Sequence, residues 1–144
     1  MKVFFDTSAF AKRYIAENGS GKVHALLATA DSLVVSVICL PEIISTLARL
    51  TREGKLTPAQ YKRLKTNVIS DLGDADICEI TTDVMNHVIR LLESHPLRAM
   101  DAIHLACALA YQPDVFVSAD HRQIAVAKRV RVQAIDVSQD ATAC

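Results

Sequence analysis

Two acidic residues each follow a short apolar run. Asp6 comes directly after the run 3–5, and Asp120 follows the run 115–117 after a serine and an alanine. Runs of this kind predict buried parallel strands, whose carboxyl ends form the edge where ligands bind in open α/β sheets. The repetition favours two carboxylates converging on one site. Helix capping by Asp6 is the alternative interpretation.

Hydroxyl groups accompany both acids. Ser8 lies two residues after Asp6, and Ser118 lies two residues before Asp120. At the same edge these hydroxyls could support the carboxylates, although Ser118 is also an ordinary candidate for a helix N-cap.

Two further acids belong to helical patterns. Asp101 lies in 97–109, which is apolar on almost every side and therefore predicts a buried helix. A charge there needs a partner or a cation, and an ion pair with Arg98 is the structural alternative. Glu42 follows the predicted strand 33–36 in the first helical turn, at the same sheet edge. Its polar neighbours on that helix face also fit a solvated stripe.

Four carboxylates in one crevice would repel one another unless a cation lay between them. Mg²⁺ and Mn²⁺ prefer carboxylate and water oxygens, and such ions promote phosphodiester hydrolysis. The cysteines show neither zinc-site nor disulfide spacing and are expected to be reduced. They are Cys39, Cys78, Cys107 and Cys144, and the first three are predicted to be core residues. His104 is expected to be a hydrogen-bonded core imidazole.

The elements that position these residues alternate between short strands and longer helices, which predicts an α/β fold with a central parallel sheet. The predicted strands are 2–5, 33–36, 77–80, 115–118 and 132–137. The predicted helices are 8–15, 21–30, 38–52, 58–72, 83–93, 98–110 and 121–128.

Composition limits the function classes. The 144 residues, 51% of them hydrophobic, suffice for one domain with a continuous core. Sixteen basic and sixteen acidic residues exclude a surface that holds nucleic acid by bulk electrostatics. No secretory signal and no membrane-spanning run is evident, so a cytoplasmic protein without a membrane partner is expected.

Four motifs stand in a recognisable order: Asp6-Thr7-Ser8, Pro41-Glu42, the run 100–106 (MDAIHLA) and Ser118-Ala119-Asp120. In their order and separations the chain resembles the PIN-domain family, in particular the VapC toxins of bacterial type II toxin–antitoxin systems. The resemblance covers about residues 1–137.

The resemblance implies a single PIN-like domain over 1–144 with a core of about 1–137, and a central parallel β-sheet flanked by helices on both faces. It implies a Mg²⁺- or Mn²⁺-dependent endoribonuclease that forms a homodimer and is inhibited by a cognate antitoxin protein. The residues that correspond to the family's catalytic and metal-binding acids are Asp6, Glu42, Asp101 and Asp120. Its hydroxyl positions near the site fall on Ser8 and Ser118.

The chain departs from the family pattern before the last strand, where Arg129-Val130-Arg131 replaces a frequent glycine. Contacts to RNA are expected from local cations. Candidates at the acidic edge are Lys12, Arg13, Arg98 and Arg122, and a second group is Lys128, Arg129 and Arg131.

Two other functions fit the same acids. One is a PIN-like module that binds RNA or protein without cutting. The other is a phosphotransfer or receiver domain with Asp6 as the phosphoacceptor.

Overall fold

Five parallel strands form the sheet of this protein, whose computed structural model describes residues 1–140. The order across the sheet is β3-β2-β1-β4-β5, and every neighbouring pair is parallel. The strands are β1 (Lys2–Phe5), β2 (Ser32–Ser36), β3 (Asp76–Cys78), β4 (Val115–Ser118) and β5 (Ala134–Asp136). The predicted α/β class with a central parallel sheet is confirmed.

Seven α-helices are found within residues 1–140. They are α1 (Thr7–Phe10), α2 (Ser20–Thr29), α3 (Cys39–Arg52), α4 (Pro58–Gly73), α5 (Thr82–Ser94), α6 (Ala99–Tyr111) and α7 (His121–Arg129). None of the helices in this part of the chain is long and apolar enough to cross a bilayer.

The sheet is covered on both faces because its strands alternate side chains between two apolar clusters. Phe5 points to the cluster that includes Ile43 and Leu47 of α3. Phe4 points to the opposite cluster, which includes Leu105 of α6, and stacks on Phe116 with ring centroids 5.6 Å apart. Helix α6 is buried along much of its length, as its apolar sequence predicts.

Several predicted boundaries were wrong. The first helix, predicted over 8–15, is only one turn long and continues as a 3-10 turn over Ala11–Arg13. Strand β3 ends at Cys78, and β5 is limited to Ala134–Asp136, because pairing with the neighbouring strand determines where each ends.

The turn before β5 is made without glycine. Arg131 has φ 64°, which is the left-handed region that favours glycine. Cys39, Cys78 and Cys107 are buried free thiols, as predicted, whereas Cys144 and the last residues of the expected domain lie outside the described part.

Candidate active site

All four predicted acids line one cleft of about 550 Å³. Asp6 follows β1 and Asp120 lies beyond β4, two neighbouring parallel strands, so both reach the carboxyl edge of the sheet. Glu42 comes from the first turn of α3, and Asp101 comes from the first turn of α6. The structure therefore brings together residues that are up to 114 positions apart in the printed sequence.

Asp6 is the most buried of these acids, with 2% of its surface exposed. Its Oδ1 accepts the backbone N–H of Ala9 at 2.9 Å, so Asp6 caps α1 and also lines the cleft. Both sequence interpretations therefore hold. Burial raises the pKa of the Asp6 carboxyl above its ordinary value, against the opposing effects of His104 and of its hydrogen bonds. A nearby cation would favour the charged form.

Two serines hold Asp6 from opposite sides. Ser8 Oγ donates to Asp6 Oδ1 at 2.7 Å, and Ser118 Oγ donates to Asp6 Oδ2 at 2.6 Å. Each serine oxygen also accepts a backbone N–H at 3.0 Å, from Ala119 and Asp120 respectively. These bonds join the loops after β1 and β4 and fix the orientation of the Asp6 carboxylate.

Glu42 is held by two residues from different elements. Thr7 Oγ1 donates to Glu42 Oε1 at 2.6 Å, and His104 Nε2 lies 2.6 Å from the same oxygen. Burial alone would raise the pKa of Glu42, but these two hydrogen bonds and the nearby imidazole hold it below its ordinary value. No described residue donates to Oε2, which leaves that oxygen available to a ligand in the cleft.

Asp101 and Asp120 share one cation. Arg98 Nε lies 3.4 Å from Asp101 Oδ2, and its Nη2 lies 3.9 Å from Asp120 Oδ2. Burial and the neighbouring Asp120 raise the pKa of the Asp101 carboxyl, while Arg98 opposes the shift. Asp120 Oδ1 accepts the backbone N–H groups of Arg122 and Gln123, so Asp120 caps α7 and Ser118 does not.

The donor set determines which metal would suit the cleft. Among residues 1–140, no three Asp, Glu, His or Cys side chains lie close enough together to hold an ion as they stand. The acids that line the cleft nevertheless offer carboxylate oxygens, which fit Mg²⁺ or Mn²⁺ better than a soft metal. Burial disfavours the charged forms of Asp6 and Asp101, so both carboxylates would gain from a bound cation.

The sequence reasoning missed the roles of two residues. His104 is a buried, hydrogen-bonded imidazole, as predicted, but its partner is a site acid. Thr7 was not singled out, although it stands between Asp6 and Ser8 in the same motif. Helical spacing could have suggested His104, which lies three residues after Asp101 and thus near it on α6.

Of the cations predicted at the acidic edge, two are bonded outside the cleft and one lines it. Lys12 is buried and bonded to Glu17 and to the backbone of Asn18, and Arg13 pairs with Asp71. Placing those two cations at the acidic edge was wrong, because both are engaged elsewhere. Arg98 does line the cleft.

Comparison with known proteins identifies the family. The PIN domain model matches residues 3–129. The chain belongs to the PIN domain family. Two relatives from Mycobacterium tuberculosis are each 34% identical over 108 residues, 75% of both chains. They are Ribonuclease VapC45 of strain CDC 1551 / Oshkosh and Ribonuclease VapC49 of strain ATCC 25618 / H37Rv. The predicted PIN-domain ribonuclease of the VapC toxin type is thereby confirmed.

Solved structures show the same fold. A toxin–antitoxin complex from Klebsiella pneumoniae aligns with a TM-score of 0.71 at 16% identity, over 96% of this PIN-domain chain and 99% of its own. VapC20 from Mycobacterium tuberculosis, a toxin that cleaves the sarcin–ricin loop, aligns with a TM-score of 0.67 at 18% identity. The alignment covers 86% of this chain and 94% of VapC20. FitAcB from Neisseria gonorrhoeae aligns with a TM-score of 0.71 at 16% identity. The alignment covers 94% of this chain and 98% of the FitAcB chain.

Proposed function

We propose that this PIN-domain protein is a cytoplasmic, Mg²⁺- or Mn²⁺-dependent endoribonuclease, the toxin of a toxin–antitoxin pair. The observation that carries the metal dependence is the convergence of four carboxylates on one cleft at the carboxyl edge of the sheet. The compact unit responsible is about residues 1–137 of a single domain.

Asp6, Glu42, Asp101 and Asp120 would hold the metal. A bound divalent ion supplies neutralisation of phosphate charge and lowers the pKa of water. Asp6, which the two serines orient, presents a fixed carboxylate. Glu42 offers Oε2 because its other oxygen is occupied by hydrogen bonds.

Arg98 has a separate role toward the substrate. Its guanidinium lies at the cleft between two carboxylates, and its side chain is 78% exposed. A guanidinium can bind a phosphate through two parallel hydrogen bonds. Arg98 would therefore hold a phosphate of the RNA in the cleft. It would give up its long contacts to Asp101 and Asp120 when it does so.

Cleavage of RNA with and without metal tests this function. We expect the wild-type protein to cut RNA in Mn²⁺ or Mg²⁺ and to be inactive in EDTA. Asp101→Asn should lower the rate at least about a hundredfold, since it removes a carboxylate that would hold the metal. Asp74→Asn, at an exposed position outside the cleft, is the matched control.

A folded Asp101→Asn protein that cut RNA at the wild-type rate would contradict the assignment. RNA bound but never cut by the wild type, at any metal concentration, would support the non-cutting module instead. Acid-labile phosphate on Asp6 would support the phosphotransfer alternative.

The partners proposed are an antitoxin and a second copy of the chain. Structural neighbours from Klebsiella pneumoniae and Mycobacterium tuberculosis belong to toxin–antitoxin systems, which supports an antitoxin partner. For the homodimer, α5 exposes an apolar stripe of Met85, Ile89 and Leu92, spaced as one helix face. Ile89→Asp should convert a dimer into a monomer in light scattering, and a monomeric wild type would contradict the homodimer.

A further inference from the structure

The basic residues of this protein are unevenly distributed. Between Glu42 and Asp71 the chain has six of its sixteen cations and one of its sixteen acids, Glu53. This segment therefore has a net charge of +5, and the rest of the chain has −5. The cations all fall in 49–65, the facing ends of α3 and α4 and the loop that joins them, which we call the basic hairpin. They are Arg49, Arg52, Lys55, Lys62, Arg63 and Lys65.

The basic hairpin lies at the surface of the molecule. The buried residues of α3 end at Leu47 and those of α4 begin at Val68, so no residue of the basic hairpin is fully buried. Leu56, Tyr61 and Leu64 pack against the core from partly buried positions, but the charged side chains do not, so core packing does not explain the charge. All six cations are exposed to solvent.

Few of these cations are neutralised. Glu53 contacts Arg49 at 3.3 Å and Lys55 at 3.2 Å, both as exposed pairs that contribute little. The other four cations form no ion pair with any residue in 1–140. They are thus available to an anionic partner.

Helix α3 connects the basic hairpin to the cleft. Its first turns place Glu42, Ser45 and Thr46 in the cleft wall. Arg49 lies seven residues after Glu42, two turns along the same helix face and about 10 Å away. A polyanion that left the cleft along α3 would meet the basic hairpin next.

We propose that the basic hairpin is the docking surface for the RNA backbone on either side of the phosphate held in the cleft. This inference rests on the proposed ribonuclease function. Outside the metal-bearing cleft the remainder of the chain has a net negative charge and repels a polyanion, so the flanking RNA needs a separate cationic surface. An acidic segment of a protein partner is the competing occupant, and the continuity with the cleft wall favours RNA.

RNA binding by an uncleaving protein tests the docking surface. The test compares the Asp101→Asn protein with and without three further substitutions in the basic hairpin, Arg52→Gln, Lys62→Gln and Lys65→Gln. Each protein is titrated with a fluorescent oligouridylate in Mg²⁺ at several salt concentrations. We expect about tenfold weaker binding at low salt. The slope of log affinity against log salt should fall by about 2, since each lost contact to a single strand removes about 0.7.

The matched control removes the same charge at the opposite end of the molecule. Helix α7 starts at the carboxyl edge and ends near the start of β5, so the second basic group lies at the amino edge. The sequence offers these three cations as candidates for RNA contact, but none of them lines the cleft. Lys128→Gln/Arg129→Gln/Arg131→Gln should therefore leave the affinity and the slope nearly unchanged.

Three outcomes would overturn the proposal: equal losses in both triple variants, no loss in the hairpin variant, or a loss of antitoxin binding alone. Cleavage by the wild type is scored separately. If it cuts RNA but the basic hairpin proves inert, only the docking surface fails. If it cuts no RNA in any metal, the proposed function fails whatever the binding shows.

Discussion

Glu42 is held by residues from two other elements, and this arrangement is what makes it suitable as a ligand. Thr7 and His104 both bond Oε1, so Oε2 is directed by contacts that a solvent-exposed glutamate would lack. Hydrogen bonds to a ligating group from such neighbours usually matter for metal affinity. His104 is 2% exposed, and its Nδ1 has no described partner, so its bond to Glu42 is the main polar interaction of the ring.

We therefore expect His104→Ala to weaken Mn²⁺ binding by about 10- to 100-fold, because Glu42 loses a positioning donor. His104→Gln should recover part of that loss, since its terminal amide can donate from a similar position. The measurement is Mn²⁺ titration followed by electron paramagnetic resonance, with thermal melting to establish folding. His24→Ala, on the exposed face of α2, is the control. Unchanged affinity in folded His104→Ala would contradict the role.

At the scale of elements, the end of α6 and the contact between the α1 region and α4 depend on a backbone conformation and a pairing that the local sequence does not predict. Helix α6 ends at Tyr111, and the next residue, Gln112, has φ 56° and donates its backbone N–H to the carbonyl oxygen of Ala108. The one-turn helix α1 and its 3-10 extension are joined to α4 through Asp71, whose Oδ2 accepts from Arg13 at 2.9 Å and Tyr14 at 2.6 Å. Both connections support elements that bring acids to the cleft.

Gln112→Gly should raise the free energy of unfolding by about 1 kcal/mol, because a side chain in the left-handed region costs about that much. Ala110→Gly, two residues earlier and inside the helix, should lower it by about 1 kcal/mol. Urea unfolding of both variants checks the signs. Two losses of equal size would show that the end of α6 is not strained.

Asp71→Asn should lower the free energy of unfolding by about 1 kcal/mol at neutral pH, the usual net value of a partly exposed hydrogen bond. Burial alone would raise the pKa of Asp71, but Arg13 and Tyr14 hold it below the ordinary value of 3.8. The charge of Asp71 therefore stabilises the fold at pH values above the ordinary pKa of the carboxyl. This contribution is lost as the pH falls through the pKa that Asp71 has in the folded protein.

Urea unfolding over a pH series measures this difference. The gap between wild type and Asp71→Asn should narrow below about pH 4. Asp74→Asn, at an exposed position at the end of α4, should show no comparable gap. A gap that widened in acid would contradict the sign.

At the scale of the whole molecule, a net charge of zero conceals two separated regions. Glu42 of the cleft and Arg49 and Arg52 of the basic hairpin lie on the same helix, α3, toward its opposite ends. A divalent ion in the cleft would reduce the repulsion there and add positive charge where a phosphate must lie. Metal binding, stability and RNA affinity should therefore be linked.

Mn²⁺ at about 100 times its dissociation constant should raise the free energy of unfolding by about 2.7 kcal/mol if it binds only the folded chain. EDTA should reverse the gain, and Asp101→Asn should reduce it strongly. Differential scanning fluorimetry over a metal series measures the effect. An equal rise in the wild type and Asp101→Asn would place the ion elsewhere.

Much of the fold was predictable because its signals are local. Apolar runs such as 115–117 indicate buried strands, and α6 is apolar enough to identify as a buried helix from sequence alone. Asp6 and Asp120 follow such runs, so the geometry of parallel sheets was enough to predict their shared edge. The boundaries of β3 and β5 were less predictable because neighbouring strands determine them.

The sequence by itself determined the fold class, the order of the motifs and the four acids that line the cleft. Only the tertiary structure decided that Thr7 and His104, 97 positions apart, meet at Glu42. It also decided that Lys12 and Arg13 pair with groups outside the cleft, and that α3 leads from the cleft wall to Arg49 and Arg52. The physical reason is the difference between local and long-range interactions along the chain. Periodicity along the chain shows which residues share a face of one element, whereas contacts between distant residues depend on how the elements pack.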